Sequence, residues 1–450
     1  MLTTDKLRTS NVLVAGLWAA VLALAGCQKP APAPKPAGTA PLEPPSATLT
    51  AKVYLDGTAS MNGFALAGAE GQYVQYLGDL DLALQRAWRN PTVDYYRFGS
   101  VIERLTGASP YRTAGEAGFY PGGPNYQETR IDRVLDEASP NVMTLIVTDL
   151  FQQDADVSAL LHSISTKVTA NQLALAVLGV KADFNGKVYD VGYSHMSFLW
   201  DSQNKVNRRH PFYTLIAGRT ADIVHLAEEL KAVSQIVKLE NLVILAPLVV
   251  SSPLDWRAAE ITRQKGLTPD IRVVEGARRG ALAFRTTRDT DFEFDASFSY
   301  SPVPYAPAVR FSKLPPPSMR ASLWSRPNFW THAALRDLAP GAGPKEDAFR
   351  LVQNGEKVTL IGRLPKGSLA TPGTYSFELT QELKSEDFDL PAFCTAWTMT
   401  NADIATYVRN PEAFDGTRTE NLSQFVNSAW SGMLAEHRPT LGTIYVFVQQ

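Results

Sequence analysis

The sequence has little of what several common classes of protein require. It contains only two cysteines, Cys27 and Cys394, which excludes a disulfide scaffold and a cysteine-rich zinc module. Lysine and arginine number 43 against 45 aspartates and glutamates, so the net charge of -2 provides no basic excess for binding nucleic acid. The 450 residues are 45% hydrophobic, which is enough for two or three folded domains and excludes global disorder. We therefore expect a multidomain globular protein that does not bind nucleic acid.

The motifs of several common catalytic sites are also absent from the sequence. The six histidines are scattered and lack the His-x-x-x-His spacing of a zinc site. No Gly-x-Ser-x-Gly sequence is present to carry a nucleophilic serine. Residues 56–58 (DGT) resemble the end of the Asp-x-Asp-Gly-Thr motif of haloacid-dehalogenase-like phosphatases, but Tyr54 occupies the position of the nucleophilic aspartate. Phosphoryl transfer and serine hydrolysis are therefore not expected in this part of the chain.

The N-terminus has the pattern of a targeting segment. Lys6 and Arg8 precede a nearly uninterrupted apolar run over residues 11–26. This run is shorter than the roughly 20 residues that a membrane-spanning helix needs. It ends in residues 24–27 (LAGC), which resemble the lipobox of bacterial lipoproteins. An ordinary secretory signal that happens to precede a cysteine is the alternative interpretation.

The lipobox resemblance implies a lipid anchor at Cys27. Residues 1–26 would be removed as a signal peptide, and Cys27 would carry acyl chains of the palmitate type that hold the protein to the cell envelope. In a Gram-negative host, Gln28 after the cysteine implies the outer membrane. Residues 27–49 are rich in proline and alanine, which favours an extended polyproline II tether between the anchor and the folded chain.

Strands and helices alternate between residues 50 and 236. Continuous apolar runs at 142–148 (VMTLIVT) and 173–180 (LALAVLGV) are typical of strands that are buried on both faces. Apolar residues at helical spacing lie between such runs. This alternation predicts an α/β fold with a doubly wound, mostly parallel sheet. The segment between Val180 and Phe212 interrupts the pattern and is interpreted as a surface hairpin or an accessory recognition element.

Oxygen-bearing side chains follow two predicted strands of this region and open a predicted helix. Asp56, Thr58 and Ser60 follow the first strand, Thr129 opens a short helix, and Asp149 ends the run VMTLIVT. Ligands of open α/β sheets bind beyond the carboxyl ends of the strands. Hydroxyl and carboxylate oxygens are the ligands that Mg²⁺ prefers, and a site with few carboxylates leaves the ion electrophilic. The residues predict a site for Mg²⁺, or for Mn²⁺ or Ca²⁺. The alternative is that they only cap helices and end strands.

The same residues resemble the metal-ion-dependent adhesion site of the von Willebrand factor type A (VWA) domain. That family has an Asp-x-Ser-x-Ser sequence, a downstream Thr and an Asp at the end of the fourth strand; here Thr129 follows Thr58 by 71 residues. Thr58 replaces the first serine, and Leu150 replaces the glycine that usually follows the last aspartate, which puts the shape of that loop in doubt. The resemblance covers less than half of the chain. It implies a protein that binds, through the ion, an Asp or Glu carboxylate of a partner protein.

The remainder of the chain is rich in predicted strands. Residues 237–385 contain apolar strands between glycine and proline turns, and residues 291–300 (DFEFDASFSY) alternate strictly, which favours a β-sandwich. Residues 386–450 are predicted to form a terminal segment with a helix and a closing strand. The favoured function is metal-dependent protein binding, as an adhesion or envelope-assembly scaffold without enzymatic activity. The alternative is a hydrolase or glycan-binding module in the β-rich half, with the VWA-like domain serving a structural role.

Overall fold

The computed structural model describes most of the chain after residue 43. The described residues are 44–66, 71–150, 154–189, 191, 196–246, 259–266, 281–287, 290–299, 303–324, 336–337, 346–355, 357–369, 371, 373–420, 422–435 and 440–449. The predicted signal peptide, the lipobox with Cys27 and most of the predicted tether lie outside these residues. Among the helices that are described, none is both long enough and apolar enough to cross a membrane.

A seven-stranded sheet organises the first half of the chain, in the order β3-β2-β1-β4-β8-β5-β9. Its strands are Thr50–Asp56 (β1), Thr92–Phe98 (β2), Ile102–Arg104 (β3), Met143–Thr148 (β4), Ala174–Ala182 (β5), His210–Gly218 (β8) and Leu242–Leu245 (β9). β1 pairs in parallel with β2 and β4, whereas the other four pairs are antiparallel. Because β8 runs against both β4 and β5, four of the seven strands point the same way and the sheet is mixed.

The α/β architecture is confirmed, and the strand directions refine it. The segment between β5 and β8 connects these two strands as a long antiparallel hairpin. The apolar runs in the sequence could not show this, because the burial of a strand does not depend on its direction. β9 pairs with β5 and so belongs to this sheet, although the sequence analysis placed its residues with the β-rich region. All six residues of β4 and all nine of β8 are buried, so elements cover both faces of the sheet.

Helices cover one face of the sheet, and helices together with the C-terminal segment cover the other. The helices are Asn62–Leu66 (α1), Gln72–Ala87 (α2), Ile131–Leu135 (α3), Asp154–Ser163 (α4), Thr220–Val233 (α5), Ala392–Ala396 (α6), Asn401–Arg409 (α7) and Leu422–Ala435 (α8). Alternate residues of β8 identify the faces. Thr214 bonds to Tyr76 of α2 at 2.5 Å, whereas Tyr213 bonds to Thr419 at 2.9 Å and lies against Trp397. The C-terminal segment therefore packs on the face opposite α2.

The insertion between β5 and β8 forms a hairpin that the C-terminal segment holds. Its strands are Asn185–Val188 (β6) and Phe198–Asp201 (β7). The ring of Phe198 stacks on that of Phe414 with centroids 4.5 Å apart, and Trp200 meets the same ring edge-on at 6.0 Å. On the other side, Phe184 packs edge-on against Phe64 of α1 at 4.9 Å. The hairpin therefore bridges α1 and the C-terminal segment.

The buried imidazole of His210 makes the attachment of the C-terminal segment sensitive to acid. Its Nδ1–H donates to the Gly416 carbonyl, and burial, together with the charge of Lys181, lowers its pKa to about 4. The unfolded chain binds this proton near pH 6.5, so stability is fully present above that pH and is lost as the pH falls toward 4.

We expect a loss of up to about 3 kcal/mol from this linkage. His210→Gln keeps an amide donor but does not titrate, so its unfolding free energy should change less between pH 7 and pH 4.5. Urea unfolding at the two pH values measures the difference. Equal pH dependence in wild type and variant would show that other groups cause the acid sensitivity.

Two further sheets form the β-rich half and share an aromatic core. Their strands are Glu260–Lys265 (β10), Ala281–Thr287 (β11), Phe292–Ser299 (β12), Ser318–Trp324 (β14), Arg336–Asp337 (β15), Phe349–Asn354 (β16), Lys357–Leu364 (β17), Gly373–Thr380 (β18) and Thr440–Gln449 (β22). The sheet orders are β10-β12-β17-β16 and β11-β22-β18-β14-β15. The short two-residue strands are Ala308–Val309 (β13), Phe388–Asp389 (β19), Thr398–Met399 (β20) and Thr419–Glu420 (β21).

The aromatic stripe that the sequence predicts in β12 lies in this core. Phe294 of β12 stacks on Phe284 of the other sheet at 4.5 Å, and Phe349 meets Phe377 across the sheets at 5.7 Å. Phe292, Phe294 and Phe298 are at most 1% exposed, so they are core residues, as the strict alternation predicts. The predicted closing strand is present as β22, between β11 and β18.

The start of the folded chain is attached at the edge of the first sheet where β1 begins. Ser46 donates from its backbone N–H to Asp222 Oδ1 at 2.6 Å and from its hydroxyl to Asp222 Oδ2 at 2.8 Å. Arg219 donates to the Ser46 hydroxyl at 2.7 Å. The carboxyl end of β1, where Asp56 lies, is at the opposite edge.

Candidate metal centre

The loop after β1 is held close to β2 by its backbone. Gly57 N–H donates to the Phe98 carbonyl at 2.8 Å, which continues the parallel pairing one residue beyond the strand. A Cβ atom at Gly57 would lie 2.7 Å from Cγ of Arg97, so a larger residue would push the loop away from β2. After Thr58 the chain turns through a 3₁₀ turn at Ala59–Met61 into α1. This turn brings the side chains of residues 58 and 60 back toward Asp56.

Four of the predicted site residues meet in one buried cluster. Asp56 Oδ1 accepts hydrogen bonds from the backbone N–H of Thr58 at 3.0 Å and from its hydroxyl at 2.7 Å. Asp56 Oδ2 accepts from the hydroxyl of Thr129 at 3.2 Å. Thr58 Oγ1 lies 3.1 Å from Ser60 Oγ and 3.2 Å from Thr129 Oγ1. All four residues are at most 5% exposed.

Three hydroxyl oxygens converge on Asp56 and on one another in this cluster. Thr58 Oγ1 lies 2.7 Å from Asp56 Oδ1 and 3.2 Å from Thr129 Oγ1, which itself lies 3.2 Å from Asp56 Oδ2. Each hydroxyl oxygen has two lone pairs and one proton, so the group is rich in oxygen acceptors. A donor set of hydroxyl and carboxylate oxygens fits a hard divalent ion.

Asp149 directly follows β4 and is 9% exposed. Burial raises the pKa of Tyr73 and of Tyr120, and the negative charges of Asp56 and Asp149 raise both pKa values further. Both carboxylates are therefore close enough to act on the same two tyrosines. All five predicted residues lie at the same edge of the sheet.

Thr148, which precedes Asp149, is a further polar residue of this site that the sequence motifs did not identify. Its hydroxyl donates to Asp56 Oδ2 at 2.8 Å and accepts from the backbone N–H of Leu150 at 3.2 Å. Thr148 thereby ties the end of β4 to the carboxylate at the end of β1. The signal was present in the sequence, because a polar residue at the end of a mostly apolar buried strand needs a hydrogen-bond partner.

The backbone at Leu150 has the conformation that glycine adopts most readily. Its φ angle is 59°, in the left-handed region, which costs a residue with a side chain roughly 1–3 kcal/mol. Leu150 therefore adopts a left-handed backbone conformation at the position where the VWA pattern has glycine. The hydrogen bond to Thr148 contributes to holding this turn.

The loop that carries Thr129 is held by an arginine. The Arg97 guanidinium lies 4.3 Å from the ring centroid of Tyr126 and 5.4 Å from that of Phe119. It forms an ion pair with Glu103 at 2.5 Å, and Glu103 also accepts from the Tyr126 hydroxyl at 2.8 Å. These contacts fix the long loop against β2 and β3, just before Thr129.

The carboxyl group of Asp56 is fully buried and forms no ion pair among the described residues. Burial raises its pKa, and hydrogen bonds from Thr58, Thr148 and Thr129 lower it. A divalent ion would supply the missing positive charge. In the described residues no group of three or more His, Cys, Asp or Glu side chains is placed to hold a metal. The cluster instead offers the Asp56 carboxylate and the hydroxyls of Thr58, Ser60 and Thr129, and Asp149 lies at the same edge of the sheet.

Comparisons of the chain with protein-family models, with curated proteins and with solved structures find no match.

Proposed function

We propose that residues 50–236 form a VWA-like domain that binds a partner protein through a divalent metal ion. The ion is Mg²⁺, with Mn²⁺ or Ca²⁺ as substitutes, and its ligands come from Asp56, Thr58, Ser60, Thr129 and Asp149. The observation that carries the proposal is the buried cluster of oxygens around Thr58 Oγ1, which lies 2.7 Å from Asp56 Oδ1, 3.1 Å from Ser60 Oγ and 3.2 Å from Thr129 Oγ1. An Asp or Glu carboxylate of the partner completes the coordination.

The chemistry of the cluster supports binding rather than bond cleavage. Mg²⁺ retains several water molecules, and a neutral hydroxyl reduces its charge less than a carboxylate does. An ion held by three hydroxyls and two carboxylates is therefore electrophilic enough to attract an external carboxylate. The protein is an adhesion or envelope-assembly scaffold in this proposal.

The lipid anchor in this proposal orients the metal centre away from the membrane. Ser46 binds to Asp222 and Arg219 at the edge where β1 begins, and the metal residues lie at the other edge. A chain anchored at Cys27 through its proline-rich tether would then present the site outward from the cell envelope. In a Gram-negative host this is the outer membrane.

Replacement of Thr129 by alanine tests the functional proposal. Thr129→Ala removes one oxygen ligand and no apolar core volume, so partner capture should be lost while the domain stays folded. Thr169→Ala is the matched control, because Thr169 is also buried but precedes β5, at the opposite edge of the sheet. Cross-linking and pull-down from envelope extract, with Mg²⁺ or with EDTA, measure capture.

We expect wild type and Thr169→Ala to recover the same set of proteins, and to do so only when Mg²⁺ is present. Recovery of the same proteins by Thr129→Ala, at the same yield in both buffers, would refute metal-dependent binding.

Replacement of Cys27 tests the anchor separately. Cys27→Ser removes the thiol that would be acylated, so the protein should remain unprocessed or move from the membrane fraction to the soluble fraction. Mass spectrometry of the N-terminal peptide and fractionation measure both effects. An unchanged peptide mass together with unchanged fractionation would remove the lipoprotein assignment.

A further inference from the structure

The three most exposed large hydrophobic side chains of the described residues lie on two neighbouring elements. They are Leu199 (78% exposed), Val206 (70%) and Leu66 (54%). Leu199 belongs to β7, Val206 to the short 3₁₀ turn that follows it, and Leu66 ends α1. Single exposed hydrophobic residues are common on protein surfaces, whereas a group of them typically marks a binding surface. Two of the three lie in the insertion between β5 and β8, which packs against α1.

The insertion, residues 183–209, presents Leu199 from a fixed frame. Its neighbours in β7, Phe198 and Trp200, are buried against the C-terminal segment, so Leu199 points to the other face of the hairpin. The Arg208 guanidinium lies 4.3 Å from the ring centroid of Trp200, and Trp200 Nε1–H donates to the Arg208 carbonyl at 2.9 Å. A surface that is already ordered in this way loses little conformational freedom when a partner binds.

The exposed charges of the insertion are mostly positive. Lys187 and Lys205 are exposed and form no ion pair among the described residues, whereas Asp201 is the one exposed carboxylate in the described part of the insertion. Lys187 lies opposite Leu199 in the β6–β7 pairing, so their side chains share one face. An apolar side chain beside positive ones is complementary to an acidic segment that carries an apolar residue.

The insertion lies against the helix that follows the metal loop. A Cβ atom at Gly186 would lie 2.8 Å from Cα of Gly63, and one at Gly63 would lie 2.3 Å from the ring of Phe184, so the two backbones are in close contact. Gly63 follows Ser60, a proposed ligand of the ion, within the same turn and helix. A partner protein bound at the ion would therefore also lie beside the insertion.

We propose that the face of the insertion with Leu199 and Lys187 is a second contact surface for the partner protein. Its ligand is an acidic segment with a large apolar side chain. The apolar side chain packs on Leu199, and carboxylates pair with Lys187 and Lys205. The inference rests on the proposed metal-dependent function, because the same partner supplies the carboxylate that binds the ion, and it specifies that this partner is acidic.

Selection from a phage-displayed library of random dodecapeptides on immobilised full-length protein tests the inference. Peptides enriched on wild type with Mg²⁺ should carry several Asp or Glu residues together with Leu, Ile or Phe. An enriched peptide should bind about tenfold more weakly to Leu199→Ser, because apolar burial is lost. It should also bind about tenfold more weakly to Lys187→Glu, because attraction becomes repulsion, and this loss should shrink at high salt. Fluorescence anisotropy of the labelled peptide measures the affinities.

Leu82→Ser and Lys231→Glu are the matched controls. Leu82 is 47% exposed on α2, and Lys231 is exposed on α5. Both control variants should bind the peptide as tightly as wild type. All four substitutions replace exposed side chains, so the melting temperatures should stay close to that of wild type.

The inference is wrong if wild type selects no peptides, or selects peptides without an excess of acidic residues. Equal weakening in the controls would also overturn it. Peptides that require Mg²⁺ but bind Leu199→Ser and Lys187→Glu as tightly as wild type would refute only this surface and leave the metal centre in place. Acidic peptides that depend on both residues, equally in Mg²⁺ and in EDTA, would support the surface and refute the metal-dependent function.

Discussion

Asp56→Asn should abolish the stabilisation that Mg²⁺ or Mn²⁺ gives the protein. A ligand that binds only the native state at a hundredfold excess over Kd adds about 2.7 kcal/mol, or about 5–10 °C for a domain of this size. Asparagine removes this stabilisation because it carries no charge to hold the ion. Thermal unfolding with the metal and in EDTA measures the difference.

Asp222→Asn is the matched control for this experiment. Asp222 is also buried, but it accepts from Ser46 and lies 4.0 Å from Arg219 at the opposite edge of the sheet. Its replacement should lower the melting temperature in EDTA and leave the metal-induced increase unchanged. An equal metal-induced increase in wild type and Asp56→Asn would mean that the ion binds elsewhere.

Phe414→Ala should destabilise the protein by about 3–5 kcal/mol. The Phe414 ring stacks on Phe198 at 4.5 Å and meets Tyr407 edge-on at 5.2 Å, and little of it is exposed. Its loss leaves a cavity where the hairpin between β5 and β8 meets the C-terminal segment. Urea unfolding measures the loss, and hydrogen exchange should accelerate over residues 185–201 and 401–420.

Val408→Ala, on the neighbouring helix α7, provides the comparison. Val408 is 38% exposed, so its truncation should change the unfolding free energy by at most about 0.5 kcal/mol. Similar losses in the two variants, or a loss below about 1 kcal/mol in Phe414→Ala, would show that Phe414 does not hold the hairpin.

The strands and the grouping of the site residues could be predicted because their signals are local. The runs at 142–148 and 173–180 match β4 and β5 closely, since a strand buried on both faces must be continuously apolar. Asp56, Thr58 and Ser60 lie within one turn of the chain. Thr129 opens a predicted helix after a strand and a long loop, which predicts that it lies at the same edge of the sheet, where its hydroxyl contacts Thr58.

The long-range contacts could not be predicted, because a single sequence carries no signal for them. Tyr213 and Thr419 are 206 positions apart in the chain, yet their hydroxyls bond across the sheet. The direction of β8 depends on the path of the insertion, and apolar content is the same for either direction.

Diffraction from crystals grown with Mn²⁺, recorded at the manganese absorption edge, would locate the bound ion. We expect one anomalous peak at the carboxyl end of β1, within about 2–2.5 Å of hydroxyl oxygens from at least two of Thr58, Ser60 and Thr129. Crystals of Asp56→Asn should lack the peak. Wild-type crystals with no peak at these hydroxyls, or with manganese bound only at other residues, would contradict the proposed metal centre.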